Sequence, residues 1–281
     1  MATSLKKYEV GSTLSLTRLS PQTGLPTRKI RVRIQELKTR SCSATMVVTI
    51  ASSNEPKSAF LKLYDWRYAD TARAHRALGP WNPTTEFAFI RSLTQARHSI
   101  YDNQEAALAE KLRDSYFNEA AVYGALRAHQ GATVPRLIAA VDLDLTPAGA
   151  EDHELFHVKG LLLEEIVDGF SLAKIPGRVP RDAWQGVVDA AVDAGRLLGE
   201  CGVLDPDRHA GNFVVVRGEE GGFRVVMIDF GRCRFRKKGE SERMWREKLA
   251  RNEVVGEWMR GMLATRHKFE LLCWPLEKYL G

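Results

Sequence analysis

Between residues 28 and 63 the chain repeats one pattern three times: Lys29-Ile30-Arg31-Val32-Arg33-Ile34, then Thr45-Met46-Val47-Val48-Thr49-Ile50, then Ala59-Phe60-Leu61-Lys62-Leu63. Alternating side chains rich in β-branched types can put one face on a core only as strands, so three antiparallel strands joined by polar turns are expected. The period then changes. Ala106, Leu108, Leu112, Tyr116, Ala120, Tyr123 and Leu126 recur at spacings near three and four, which predicts an amphipathic helix from about Asn103 to His129. The intervening stretch from Tyr64 to about Asp102 holds Pro80-Trp81-Asn82-Pro83 between two short helix-like pieces and reads as an insertion. Apolar strands are expected over residues 134–143 and 155–167, and a second helix from Pro180 to about Cys201. A hairpin over 211–216 and 223–229, turned by Glu219-Glu220-Gly221-Gly222, comes next, and a helical tail runs to about Tyr279. A strand-rich front followed by a helix-rich back predicts an α+β fold of two unequal lobes with a cleft. The first lobe would cover 1–167, with the insertion at about 65–102, and the second 168–281.

With 44% hydrophobic and 27% charged residues in 281, the composition excludes a disordered, collagenous or coiled-coil chain. No apolar run approaches the roughly 18 residues of a membrane helix, so no membrane partner is expected. Lys6 and Lys7 are followed by no apolar stretch of the secretory kind, and the cysteines at 42, 201, 233 and 273 form no C-x-x-C pair. A cytoplasmic or nuclear protein with reduced thiols is expected. The net charge of +6 is local: Arg232 to Arg251 holds nine basic residues against three acids. Glutamates interleaved at helical spacing describe a solvated helix face, and the alternatives are an acidic substrate or RNA.

The chemistry concentrates in Asp205-Pro206-Asp207-Arg208-His209-Ala210-Gly211-Asn212, followed seventeen residues after Asn212 by Asp229 in Ile228-Asp229-Phe230-Gly231. This is D-x-x-x-x-N and then D-F-G. Phosphoryl transfer needs a carboxylate to orient and deprotonate the attacking hydroxyl, and oxygen ligands that hold magnesium on the nucleotide phosphates. Asp207 suits the first task, Asn212 and Asp229 the second. A short loop leading into a hairpin brings all three to one edge.

On these residues the chain resembles the protein-kinase-like superfamily, from about residue 28 to about 235. Within it, the Leu61-Lys62-Leu63-Tyr64-Asp65 run, Gly79-Pro80-Trp81 and Val134-Pro135-Arg136-Leu137 look like the fungal protein-kinase-like proteins, while His209 matches the catalytic loop of aminoglycoside and choline kinases. The resemblance implies a two-lobed kinase-like fold, with an antiparallel sheet in the N-lobe and a mostly helical C-lobe lacking the usual late helices. It implies ATP and Mg²⁺ as cofactors. Lys62 would contact the phosphates, Glu119 would partner it, and backbone groups at Glu164, Glu165 and Ile166 would meet adenine. The insertion leaves Glu105 and Glu110 as alternative partners. Residues 37–43 contain no glycine where the family has its Gly-rich loop, and Asp205 stands where it usually has His. No A-P-E signal follows Gly231. An ATP-dependent phosphotransferase acting on a small hydroxyl-bearing molecule is expected rather than a protein kinase. The alternatives are a nucleotide-binding pseudokinase, or a kinase fold repurposed for another transfer, one that could involve RNA.

His153-Glu154-Leu155-Phe156-His157 also matches H-E-x-x-H. That zinc chemistry needs a helix, because i and i+4 then reach one metal. The segment runs into an apolar strand pattern, where those positions would lie about 13 Å apart. Zinc is not expected.

Overall fold

The computed structural model describes residues 8–20, 23–51, 57–94, 103–218, 221–251 and 255–272. Lys6, Lys7, the end of the insertion at 95–102, the turn residues Glu219 and Glu220, Cys273 and the tail to Tyr279 lie outside them. The chain divides into two units, one of residues 1–120 and 137–165, the other of 121–136 and 166–281.

The first unit is organised by a strand that the sequence pattern did not single out. Strand β1, Thr13–Leu19, buries Leu14, Leu16 and Leu19 and pairs antiparallel with β2, Pro26–Arg40, placing Leu14 opposite Val32. The ladder continues through β3, Ala44–Ile50, and β4, Lys57–Leu63, the strands expected from the alternation. Strand β6, His157–Leu163, pairs with β4 and with β5, Leu137–Asp144. The other edge of β1 then pairs with β5, Thr17 facing Asp142 and Leu19 facing Ala140. These pairings close a six-stranded antiparallel barrel in the order β1-β2-β3-β4-β6-β5.

Closure overturns the expected fold class. A kinase-like two-lobed α+β fold has an open sheet in its N-lobe, whereas here β1 supplies the bond between the two edges, and among the described residues the rest of the sheet structure is two small sheets. A six-strand barrel has little room inside, and side chains fill it. Leu16, Val32, Ile34, Met46, Val48, Leu61 and Val141 are fully buried. At Gly160 a Cβ would come within 2.6 Å of the Leu63 side chain and 2.7 Å of the Lys62 carbonyl, so no other residue fits that approach unmoved.

Among its described residues the insertion holds two α-helices, α1, Asp70–His75, and α2, Pro83–Thr94. Trp66, Trp81 and Phe156 pack around Phe89, with centroids 5.1, 5.7 and 6.2 Å from it. Helix α3, Gln104–Ala125, follows. The H-E-x-x-H segment is not strand throughout as expected: Glu154–Phe156 form a 3₁₀ turn and β6 begins at His157.

In the second unit, β9, Phe213–Arg217, and β10, Phe223–Met227, form the expected hairpin. β7, Phe170–Ser171, adds to β9. Helix α4, Trp184–Glu200, presents Val187, Val188, Ala191, Val192, Gly195, Leu198 and Gly199 as a buried stripe at three- and four-residue spacing, and it packs on β10. A second small sheet pairs β8, Val203–Leu204, with β11, Arg234–Phe235. Two helices follow, α5, Glu242–Arg251, and α6, Val255–His267. The Trp245 indole donates to the Gly199 carbonyl at 3.1 Å, and a Cβ on Gly199 would collide with Leu249 at 2.6 Å, so α5 docks closely on the end of α4. No helix among the described residues is long and apolar enough to cross a membrane.

Candidate functional site

The residues expected to carry chemistry fall in two clusters, one in each unit. In the first, Lys62 sits on β4 between Leu61 and Leu63. Its register neighbours Thr45 and Leu161 place it on the barrel's outer face, because the alternation sends Leu61 and Leu63 inward. Lys62 is only 6% exposed, Glu119 of α3 1%, and Lys62 Nζ lies 2.7 Å from Glu119 Oε2. The Tyr64 hydroxyl donates to the same oxygen, and Lys62 Nζ stands 5.3 Å from the Tyr64 ring. Of the alternative partners, Glu105 is taken by a fork of two 2.7 Å bonds from Arg73. Tyr64 has no motif signal, although it lies two residues beyond Lys62 and so on the same side of an extended chain.

Glu164 and Glu165 follow directly on β6, with Ser58 Oγ bonded to Glu165 Oε2, and Ile166 begins the next stretch of the second unit. The β2–β3 turn has no glycine amides for a phosphate. Beside it lies a cavity of about 210 Å³ whose lining includes Tyr8, Lys38, Thr39, Arg40 and Thr45, with Thr39 Oγ1 and Thr45 Oγ1 bonded at 2.8 Å.

The second unit gathers Asp207, Asn212 and Asp229. Buried Asp205 (1% exposed) accepts the Asp207 amide at 2.9 Å, which fixes the start of the loop. Burial raises the Asp205 carboxyl above its ordinary range, against the opposing pull of that hydrogen bond and of Arg208. Arg208 is itself buried and donates to the Gly195 carbonyl of α4 at 3.1 Å. A 3₁₀ turn, Ala210–Asn212, capped by His209 Nδ1 accepting from the Gly211 amide at 3.0 Å, carries the chain into β9. Asn212 Nδ2 donates to the Asp207 carbonyl at 3.1 Å, and the Ile228 amide donates to the Asn212 carbonyl at 2.9 Å. The loop, the turn and the residue before Asp229 are thus one hydrogen-bonded piece.

Asp229 adopts φ +66°, a left-handed conformation uncommon outside glycine, and such strain gathers at functional positions. Phe230 anchors it, fully buried with its ring 5.6 Å edge-on from Tyr123. One contact has no precedent in the sequence motif: Arg232 Nη1 lies 3.3 Å from Asp207 Oδ2.

Among the described residues no group of three or more His, Cys, Asp or Glu is placed to hold a metal ion. Magnesium does not require one, since it commonly takes one or two protein oxygens and completes its shell with phosphates and water. Asn212 fits that use, because its Nδ2 is committed to the Asp207 carbonyl and its Oδ1 is the oxygen left to offer, and Asp229 adds a carboxylate. The H-E-x-x-H residues do not fit zinc. His153 Nδ1 accepts from the Leu155 amide at 3.1 Å, and both His157 nitrogens face carboxylates, Asp142 at 2.7 Å and Asp152 at 2.8 Å. No protein-family model matches this sequence, and neither does any curated protein.

Proposed function

We propose that the chain is an ATP- and magnesium-dependent phosphotransferase whose acceptor is a small molecule bearing a hydroxyl group. The observation that carries this reading is the union of Asp207, Asn212 and Asp229 in one hydrogen-bonded loop and hairpin, with an Asp held at φ +66°. Asp207 is the oxygen base that orients and deprotonates the acceptor. Asn212 and Asp229 are the oxygen donors for magnesium, which when bound neutralises charge on the phosphates. Lys62, set by Glu119 and Tyr64, is the cation for the α- and β-phosphates, and the backbone at Glu164, Glu165 and Ile166 is the adenine contact. These last roles rest on the likeness of the motifs to the kinase-like superfamily.

A second reading, a nucleotide-binding module without turnover, is favoured by the Arg232 contact on Asp207 and by the glycine-free β2–β3 turn. Thermal shift with ATP, with and without magnesium, together with ADP release separates the two. Magnesium-dependent stabilisation with ADP release supports the phosphotransferase. Stabilisation without release under any hydroxyl acceptor supports the binding module, and no response to nucleotide rejects both.

A further inference from the structure

The basic segment that follows Asp229 separates into two parts with different charge balance. On and around α5 the acids are matched: Glu242 is held by Arg236 at 2.6 Å and Arg246 at 3.0 Å, Glu247 by Arg243 at 3.3 Å, and Glu240 by Lys248. Ahead of α5 the balance fails. Arg232, Arg234, Lys237 and Lys238 are all exposed, and among the described residues the side chain of Arg232 alone of these four pairs with a carboxylate, that of Asp207, while Lys237 gives Glu240 only its backbone amide.

This unmatched run is fastened to the Asp207 loop. Arg234 pairs in register with Leu204, the residue before Asp205, and the Arg236 amide donates to the Gly202 carbonyl at 2.8 Å. A molecule that brings a hydroxyl to Asp207 therefore meets the Arg232 guanidinium first, with exposed Arg234, Lys237 and Lys238 on the segment that follows it. A cationic acceptor would be repelled there, whereas a phosphate or carboxylate accepts paired bonds from arginine.

We propose that the acceptor is an anionic hydroxyl compound whose phosphate or carboxylate is bound by Arg232, Arg234 and the neighbouring lysines, a substrate class that rests on the phosphotransferase reading above. Arg232 now occupies Asp207 Oδ2, and its side chain is 74% exposed, so it has room to turn toward an incoming anion. That turn frees the Asp207 carboxylate for the hydroxyl. In the transfer itself the acceptor oxygen bonds to the γ-phosphorus of ATP while the bond from that phosphorus to the β–γ bridging oxygen breaks. The hydroxyl proton passes to Asp207, and ADP leaves.

The test compares glycerol and ribose with glycerol 3-phosphate, ribose 5-phosphate and glycerate, in ADP release at saturating magnesium-ATP and, without nucleotide, in calorimetric binding. Turnover and binding are expected with the anionic compounds only. Arg234→Glu combined with Lys237→Glu is expected to raise their KM by about tenfold or more while leaving the KM for ATP unchanged. Asp207→Asn is expected to slow turnover by about 10² to 10⁴ yet tighten anion binding, since it removes the carboxylate that competes for Arg232. Equal use of neutral and anionic acceptors, or anion affinity indifferent to the charge reversals, would overturn the proposal. Anion binding that responds as expected, with no ADP release under any acceptor, would place an anion site at Arg232 but overturn its role for an acceptor together with the phosphotransferase reading. Submicromolar binding of a mixed-sequence RNA at physiological salt, lost in the same charge reversals, would overturn it in favour of an RNA partner.

Discussion

A lysine and a glutamate that are both almost fully withdrawn from water, as Lys62 and Glu119 are, pay for that burial only while they remain together. Lys62→Met removes the ammonium and leaves a buried carboxylate facing the Tyr64 hydroxyl, so it should destabilise the fold by about 3 to 5 kcal/mol. Lys62→Met together with Glu119→Met should recover most of that loss in a denaturant titration, because no charge is then stranded. A double variant as unstable as the sum of the single ones would mean that the pair has no coupling. This sharpens what the sequence allowed. Lys62 was legible because its neighbours Leu61 and Leu63 send it to the opposite face; Glu119 was the expected partner with Glu105 and Glu110 as alternatives, and the 2.7 Å contact of Lys62 with Glu119, with Arg73 on Glu105, decides for Glu119. Arg232 was invisible as a partner of Asp207, since a salt bridge across twenty-five positions leaves no periodic trace.

Among the elements, β2, β3 and β4 were legible from alternation, and α4 from its stripe of Val, Ala and Leu. Strand β1 was not, because its apolar positions are all leucine, which favours helix as readily as strand, and Thr13, Ser15 and Thr17 are polar. Missing it changed the fold class, since the pairing of Thr17 with Asp142 is what closes the sheet. Hydrogen exchange reads this directly: in a closed barrel the β1 amides bonded to β2 and those bonded to β5 should both be protected, whereas an open sheet would leave one edge of β1 exchanging quickly. Leu16→Ala, at a fully buried position of β1, should cost about 2 to 5 kcal/mol.

The paired strands β5 and β6 also carry a pH dependence. Burial works to lower the His157 imidazole, but hydrogen bonds to Asp142 and Asp152 outweigh it and raise its pKa above the ordinary value. The folded state then holds the proton more tightly than the unfolded one. The stabilisation is complete below about pH 6.5 and is lost as pH rises through the higher folded value. Asp152, bonded to His157, is lowered, and so is Asp144, where hydrogen bonds from Thr146 outweigh burial. Their contribution is present above about pH 4 and is lost as pH falls. Thermal unfolding across pH should show stability declining on the alkaline side in the parent and not in His157→Gln. The same decline in both would reject the assignment.

At the scale of the whole molecule, the proposed function gives the second unit a magnesium-nucleotide centre in which two carboxylates have different tasks. The spacing of Asp207, Asn212 and Asp229 was legible because it is local to one loop and one hairpin; the closed barrel of the first unit was not, because it depends on strands far apart in the chain. Calorimetric titration of ATP with and without magnesium, on the parent, Asp207→Asn and Asp229→Asn, tests that division. The parent should bind ATP in a magnesium-dependent way, Asp207→Asn should retain that affinity, and Asp229→Asn should lose most of it. With an acceptor present, Asp207→Asn should release ADP about 10² to 10⁴ times more slowly than the parent, the usual contribution of a positioned base. A parent that binds no nucleotide, or an Asp229→Asn variant that binds magnesium-ATP like the parent, would contradict it.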